Sequence, residues 1–416
     1  MKVYIETYGC TANRSDESIV KGIALSKGYE LTNDINDADL LVILTCTVIS
    51  TTEQRMINRI KRLYATGKRL IVSGCMASVQ GELVKKIAPR SHLLPPDQIH
   101  AIFDIVDGNC RPTKGQPKTL LARCYKGIKA PIAIAEGCIF SCSYCITSKA
   151  RGRLVSYPPD SIIKTVENAL NFGCKEIQLT SQDNASYGLD KGYKLDRLIE
   201  EICKLDNEFR IRIGMMNPAT TKKRLDEILN AYSYDKVYKF LHLPVQSGDN
   251  AILERMRRGY TVEDFLEIVE EFYSSYPDIT LSTDIIVGFP GESENSHIST
   301  IELLKMVKPD LVNITRFSPR PYTEAKQYSG RVPTDVAKQR SRELTELCRS
   351  ISEEKNKRRV GSKYRALVVE TGKDNSFVCR SDNYKPVIVK QDLTIGSFVD
   401  VEVTGYKFSH LVGKLI

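Results

Sequence analysis

Between residues 131 and about 330 the chain repeats one unit six times: a short apolar run followed by a helical stretch. The runs are 131–135, 176–181, 210–215, 238–243, 280–287 and 311–317, with helical patterns such as 160–172 and 261–276 in the gaps. Short, nearly unbroken apolar runs suit strands buried on both faces, as in parallel sheets, and parallel strands need crossover helices. Six units predict a partial or full barrel of parallel strands with its chemistry at the strand carboxyl ends. The first strand is followed by Cys138, Cys142 and Cys145, spaced C-x-x-x-C-x-x-C on one loop. Three soft thiolates there can hold three irons of a [4Fe–4S] cube and leave the fourth iron open to a substrate or cofactor. A zinc site usually closes its shell with a fourth Cys or His, and neither His100 nor His242 lies on this loop.

Residues 1–110 also alternate strands (3–8, 40–45, 70–73) with helices (13–27, 50–64), which predicts an open parallel α/β sheet. Each of these strands leads to a cysteine: Cys10, Cys46 and Cys75. Ligands gather beyond the carboxyl ends of such strands, so the three thiols can converge into a second metal site. The alternative is three buried structural cysteines, since free Cys is often buried. Cys110, Cys124, Cys174, Cys203, Cys348 and Cys379 have no ligand spacing and read as packing residues.

Residues 111–130 are a basic linker with no acid and two prolines, read as a solvated connector in preference to a strip facing a polyanion. A charged helix covers 334–360. Residues 361–416 then change to short β-branched strands with Gly and Asn/Asp turns, which predicts a five-stranded barrel. Such barrels often bind nucleic acid, and Lys357, Arg358, Arg359, Lys363 and Arg365 at its entrance fit phosphate. Arg151 and Arg153, just past the cysteine loop, are further candidates for phosphate. At 416 residues the chain is long enough for two or three domains, and 42% apolar with 27% charged residues is ordinary for globular proteins. A net charge of +9 fits a polyanionic partner. The N-terminus has no signal-peptide pattern and no run approaches 18 apolar residues, so twelve cysteines point to the cytoplasm and metal binding, with no membrane association.

The cysteine loop, with Tyr144 before its last Cys, resembles the radical S-adenosylmethionine superfamily. The whole chain resembles its methylthiotransferase family. The segments that match are Thr7-Tyr8-Gly9-Cys10-Thr11-Ala12-Asn13, Thr45-Cys46-Thr47-Val48, Ser73-Gly74-Cys75, Leu243-Pro244-Val245-Gln246-Ser247-Gly248, Met256-Arg257-Arg258-Gly259-Tyr260, Thr283 to Glu292 and Phe317 to Thr323. Ser148 stands where many relatives acting on isopentenyladenosine or on a ribosomal aspartate have Pro, and Thr147 with Ala150-Arg151-Gly152 resembles the archaeal and eukaryotic threonylcarbamoyladenosine branch. The resemblance implies an N-terminal domain (1–110) with an auxiliary cluster on Cys10, Cys46 and Cys75, a radical (βα)6 partial TIM barrel (131–333), a connecting helix (334–360) and a C-terminal OB-like TRAM barrel (361–416). It implies two [4Fe–4S] clusters and S-adenosylmethionine. One cluster starts a radical that takes hydrogen from C2 of the adenine, and the other delivers sulfur. The product is 2-methylthio-N6-threonylcarbamoyladenosine at tRNA position 37.

Tyr144, Gln182, Asp183 and Gly288 are the candidates for contacting the cofactor, against plainer readings as a core aromatic, a helix cap and a tight turn. Expected partners are tRNA, an electron donor such as a flavodoxin or ferredoxin, and a sulfur donor, with the protein a monomer. Other readings are a methylthiotransferase for isopentenyladenosine or a ribosomal aspartate, a two-cluster electron-transfer protein, and a zinc-stabilised RNA-binding protein.

Overall fold

The computed structural model describes residues 1–106 and 117–416. Cys110 and the first linker residues, among them Arg111, Pro112 and Lys114, lie outside the described residues. The N-terminal unit is a parallel sheet of β1 (Lys2–Thr7), β2 (Glu30–Thr32), β3 (Leu40–Thr45), β4 (Arg69–Gly74) and β5 (His92–Leu94) in the order β2-β1-β3-β4-β5. Helices α1 (Thr11–Ser26), α2 (Ser50–Tyr64), α3 (Cys75–Val79) and α4 (Gly81–Ile87) connect the strands. β3 is buried at all six positions, as a central strand covered on both faces must be. Alternate residues feed two cores: Leu40, Val42 and Leu44 pack with α1, and Leu41 and Ile43 with α2.

The central unit carries β6 (Lys129–Ala133), the short pair β7 (Ala135–Glu136) and β8 (Val155–Ser156), then β9 (Glu176–Thr180), β10 (Arg210–Ile213), β11 (Phe240–His242), β12 (Thr280–Val287) and β13 (Leu311–Arg316). Between them lie α5 (Thr147–Arg151), α6 (Pro159–Asn171), α7 (Leu195–Cys203), α8 (Pro218–Lys223), α9 (Leu225–Ala231), α10 (Asn250–Arg255), α11 (Val262–Ser275) and α12 (Glu294–Val307). Strands β6, β9 and β10 form one parallel ladder and β11, β12 and β13 another. A parallel bridge from Ile211 to Val237 joins them into one arc of six strands among the described residues. Among the described residues no ladder joins β13 back to β6, so the strands form an arc and not a closed ring. Odd-numbered β12 residues such as Leu281 and Ile285 pack outward on the helices, while Ser282 and Asp284 face inward.

After the long helix α13 (Thr334–Lys357) come β14 (Lys363–Thr371), β15 (Phe377–Ser381), β16 (Pro386–Val389), β17 (Phe398–Lys407) and β18 (His410–Leu415), closed into a small barrel. This barrel docks against the strand entrances of the central unit. Its β15–β16 turn donates and accepts throughout: Lys239 N–H bonds Asp382 O at 2.8 Å, Arg210 pairs with Asp382 at 2.8 Å, Asn383 donates to Asp278 at 2.7 Å, and Tyr384 Oη donates to Glu176 at 3.2 Å. Fully buried Asp310, just before β13, takes Lys355 of α13 at 2.6 Å and Lys385 of the turn at 2.8 Å. The C-terminal barrel thus plugs the end of the central barrel opposite the cysteine loop. Among the described residues no helix is long and apolar enough to cross a membrane.

The described part of the 111–130 linker is not a solvated connector. It crosses α1 where Gly22 leaves room: a Cβ there would lie 2.3 Å from the Ala122 carbonyl. Lys118 is buried against Asp16 at 2.7 Å and Glu136 at 2.8 Å, and Arg123 bonds Ser15 and Ser18 of α1.

Candidate active site

Cys10 is the N-cap of α1, Cys46 follows β3 and Cys75 opens α3, so the three thiols stand at the ends of adjacent strands β1, β3 and β4. Two glycines permit the approach. Gly9, at φ +106°, brings its backbone against Cys46, where a Cβ would fall 2.8 Å from the Cys46 Cβ. Gly74, at φ +88°, lies against Thr45, where a Cβ would fall 2.5 Å from the Thr45 carbonyl oxygen. Only glycine takes both positions without strain. Asn13 ties the loops together by donating to Tyr8 O at 2.6 Å and Thr45 O at 3.0 Å.

The Cys138–Cys145 loop leaves the barrel at β6 and is fixed at several points. Gly137 N–H donates to Gln182 Oε1 at 2.7 Å, Ser143 N–H to Met256 O at 3.0 Å, Ser143 Oγ to Arg255 O at 2.8 Å, and Ala325 N–H to Ser143 O at 2.9 Å. Two sulfurs accept hydrogen bonds: Cys138 Sγ from Phe140 N–H at 3.4 Å and Cys142 Sγ from Arg258 Nη1 at 3.3 Å. Burial pushes the Cys138 thiol up to about 12 and the Cys75 thiol to about 11. Among the described residues no three His, Cys, Asp or Glu side chains close on a single metal ion. In a [4Fe–4S] cube each thiolate takes its own iron, so its donors stand further apart than the ligands of one ion. Three soft donors on each unit, with no fourth, fit a cube that keeps one iron open.

The two cysteine groups face each other. Helix α5, directly after Cys145, packs on α3, which begins at Cys75, and Ser78 Oγ donates to Ala150 O at 3.0 Å. Arg151 fills the seam. Its side chain is 2% exposed and pairs with Asp16 at 2.9 Å and Glu136 at 2.6 Å, while donating to Asn13 at 2.6 Å. Its charge also bears on the Cys75 and Cys10 thiols. A second arginine, Arg320, is buried beside Cys46 and donates to Thr47 Oγ1 at 3.0 Å and to Glu53.

Several expected roles change. Arg151 cannot contact phosphate, because it is buried with two carboxylates. Arg359 is likewise buried and spent on Asp278, Asp310 and Tyr364. Asp183 is buried, and its carboxylate accepts from Ala185 N–H, Asn217 N–H and Thr220 Oγ1, which makes it a structural cap beside the cysteine loop, where its charge bears on Cys138. Burial still pushes its carboxyl up to about 6. Gly288 turns at φ +75° with its open side 2.8 Å from Ala337 of α13, so it makes room for that helix. Gln182 holds the cysteine loop through Gly137. Tyr144 packs edge-on against Phe289, centroids 6.2 Å apart, beside Arg258. Arg153, Lys357, Arg358, Lys363 and Arg365 are exposed; Arg358 pairs with Glu354, and Arg365 with Glu208 and Asp400. Arg258 was legible only as part of a motif, since nothing in Met256-Arg257-Arg258-Gly259-Tyr260 says which arginine turns inward.

Family models match along the chain: the Radical SAM superfamily over residues 132–304, the uncharacterized protein family UPF0004 over 2–94 and the TRAM domain over 357–416. A probable threonylcarbamoyladenosine tRNA methylthiotransferase of Archaeoglobus fulgidus is 42% identical over 426 residues, covering 100% of this chain and 99% of its own. The threonylcarbamoyladenosine tRNA methylthiotransferase of Homo sapiens is 33% identical, covering 97% of this chain and 72% of its own. The chain belongs to the threonylcarbamoyladenosine tRNA methylthiotransferase family. Its fold is also similar to that of the radical S-adenosylmethionine methyltransferase TsrM from Kitasatospora setae, with a TM-score of 0.55 at 15% identity over 78% of this chain and 76% of that one. For a methylthiotransferase, the arrangement supplies two sulfur-lined sites meeting at one seam, which a single zinc or electron-transfer site would not need.

Proposed function

We propose that this protein converts N6-threonylcarbamoyladenosine in tRNA to its 2-methylthio form. The observation that carries this reading is the apposition of two three-thiol sites across α3 and α5, in a chain whose relatives bear that name over their full length. When bound, a [4Fe–4S] cluster on Cys138, Cys142 and Cys145 supplies the electron that cleaves S-adenosylmethionine, and one on Cys10, Cys46 and Cys75 holds the sulfur to be inserted. The protein's own residues do the positioning. Asn13, Gly9 and Gly74 bring the N-terminal loops together. Gln182, Ser143 and the end of α10 fix the cysteine loop at the barrel mouth. Arg151 locks the two units, which would hold both cluster sites toward one adenine. Arg258 places a positive donor on Cys142, and hydrogen bonds to cluster sulfurs tune potential.

Exposed Arg153, Lys357 and Lys363 are the remaining basic candidates for phosphate, with an electron donor and a sulfur donor completing the cycle. Mass spectrometry of tRNA nucleosides after incubation with reconstituted protein, S-adenosylmethionine, sulfide and dithionite tests the reading. The methylthio product should appear on threonylcarbamoyladenosine; its appearance on isopentenyladenosine or a ribosomal aspartate instead would refute it.

A further inference from the structure

The lumen of the central barrel contains an arginine with no ion pair among the described residues. Arg212 points inward from the middle of β10. Its guanidinium carbon lies 5.0 Å from the Phe240 ring centroid and 5.3 Å from that of Tyr384. Among the described residues it has no ion pair and no hydrogen bond, and its buried Nε–H lacks an acceptor. The neighbouring Glu176 accepts from Gln178 at 2.5 Å and from Tyr384 at 3.2 Å through one carboxylate oxygen, and its other oxygen is buried without a hydrogen bond. Asp284, one layer nearer the mouth, is engaged by His242 at 3.2 Å and Asn313 at 2.7 Å. Buried donors are normally satisfied, so an orphan guanidinium in a half-buried polar lumen points to a ligand that brings its own acceptor.

The surroundings are built to hold this side chain in place. Tyr384 comes from the C-terminal barrel and sits in the left-handed region at φ +65°, a costly conformation for a bulky residue. It presents its ring to Arg212 from below while Phe240 supplies the second ring. Arginine stacked in this way keeps its planar fork free for bidentate binding of a carboxylate. Arg212 lies one residue before the end of β10, about 3 Å at the strand rise. That depth suits a short acyclic substituent hanging from a base at the mouth.

We propose that Arg212 is a specificity-determining residue that binds the free carboxylate of the threonyl group on the target adenosine, with Tyr384 and Phe240 as positioning residues. The inference rests on the substrate named under Proposed function. It explains what a base with an apolar N6 substituent would lack: it would leave the half-buried guanidinium unpaired, which a site built for a charge rejects.

The test uses reconstituted holoenzyme and two full-length tRNAs, one carrying threonylcarbamoyladenosine and one whose threonyl carboxylate is a carboxamide. Equilibrium binding and KM are measured for both, together with S-adenosylmethionine affinity. Wild-type protein should favour the acid roughly 10- to 100-fold. Arg212→Gln should bring that ratio near one, Arg212→Lys should keep part of it, and cofactor affinity should not move. Both variants should fold, as no ion pair is lost, and circular dichroism checks this. An unchanged acid-to-amide ratio in Arg212→Gln overturns the inference. So does a fall in S-adenosylmethionine affinity with the ratio intact, which would assign the guanidinium to the cofactor's carboxylate. If wild-type protein leaves threonylcarbamoyladenosine unmodified, the substrate reading itself fails; if it modifies it without discriminating acid from amide, only this inference does.

Discussion

Replacing Arg151 by Met tests the seam between the two cysteine-bearing units. The change leaves Asp16 and Glu136 buried with Lys118 as their remaining cation. Removing one member of a buried ionic group commonly costs about 3–5 kcal/mol, because the remaining charge is uncompensated. Titration points the same way. Burial pushes the Glu136 carboxyl up, and Lys118 and then Arg151 more than reverse this, holding it at about 2 against an ordinary 4.5. Both cations contribute to that depression, Lys118 before Arg151. The sign follows from the depressed value: the contribution is complete above about pH 4.5 and is lost as pH falls toward 2. Urea unfolding of cluster-free protein, so that metal release does not intervene, should show Arg151→Met less stable by about 3 kcal/mol or more at pH 7. The gap should narrow below about pH 4.5. A loss under about 1 kcal/mol, or a gap that stays constant through the acid range, would refute the argument.

Anaerobic reconstitution should load about eight irons and eight sulfides per chain, and changing Cys138, Cys142 and Cys145 together to Ala should leave about half. Changing Cys10, Cys46 and Cys75 to Ala should abolish sulfur insertion while 5′-deoxyadenosine release under dithionite persists. Arg258→Met removes a positive donor from Cys142, so the potential of that cluster should fall; about 60 mV corresponds to 1.4 kcal/mol for one electron, and a potential equal to wild type by EPR-monitored titration would deny the residue this role. In a salt series, Lys357→Ala with Lys363→Ala should flatten the tRNA-binding slope by roughly two units. Arg359→Ala should instead lower stability, since that side chain is committed to Asp278 and Asp310.

The long elements were legible because periodicity and length agree. Helix α2 runs over Ser50–Tyr64 as its pattern implies, and the six inner strands fall within a few residues of their apolar runs. Strands β2 and β5 escaped notice because three residues carry no alternation. The cysteines were legible as two groups of three. Their apposition was not, because it depends on α5 packing on α3 across 72 residues of sequence. The charged residues were the least legible. Arg151, Lys118 and Arg359 look in sequence like any solvated cation, and only their tertiary carboxylates, Asp16, Glu136, Asp278 and Asp310, draw them inside. Conversely Asp183 and Gly288 stand in the right loops, but local hydrogen bonds and the packing of α13 decide their work.

The C-terminal barrel closes the far end of the central one, and this separates its exposed face from the cysteine loop by the height of the sheet. Strands of three to eight residues make that height about 10–25 Å. An RNA gripped at the plug and opened at the mouth has to run the length of the flank between them. Such an arrangement would work as a ruler, selecting on the distance between a held backbone and a presented base as well as on the base itself. A minimal hairpin carrying the right nucleoside would satisfy the pocket and miss the grip, whereas an intact tRNA can reach both.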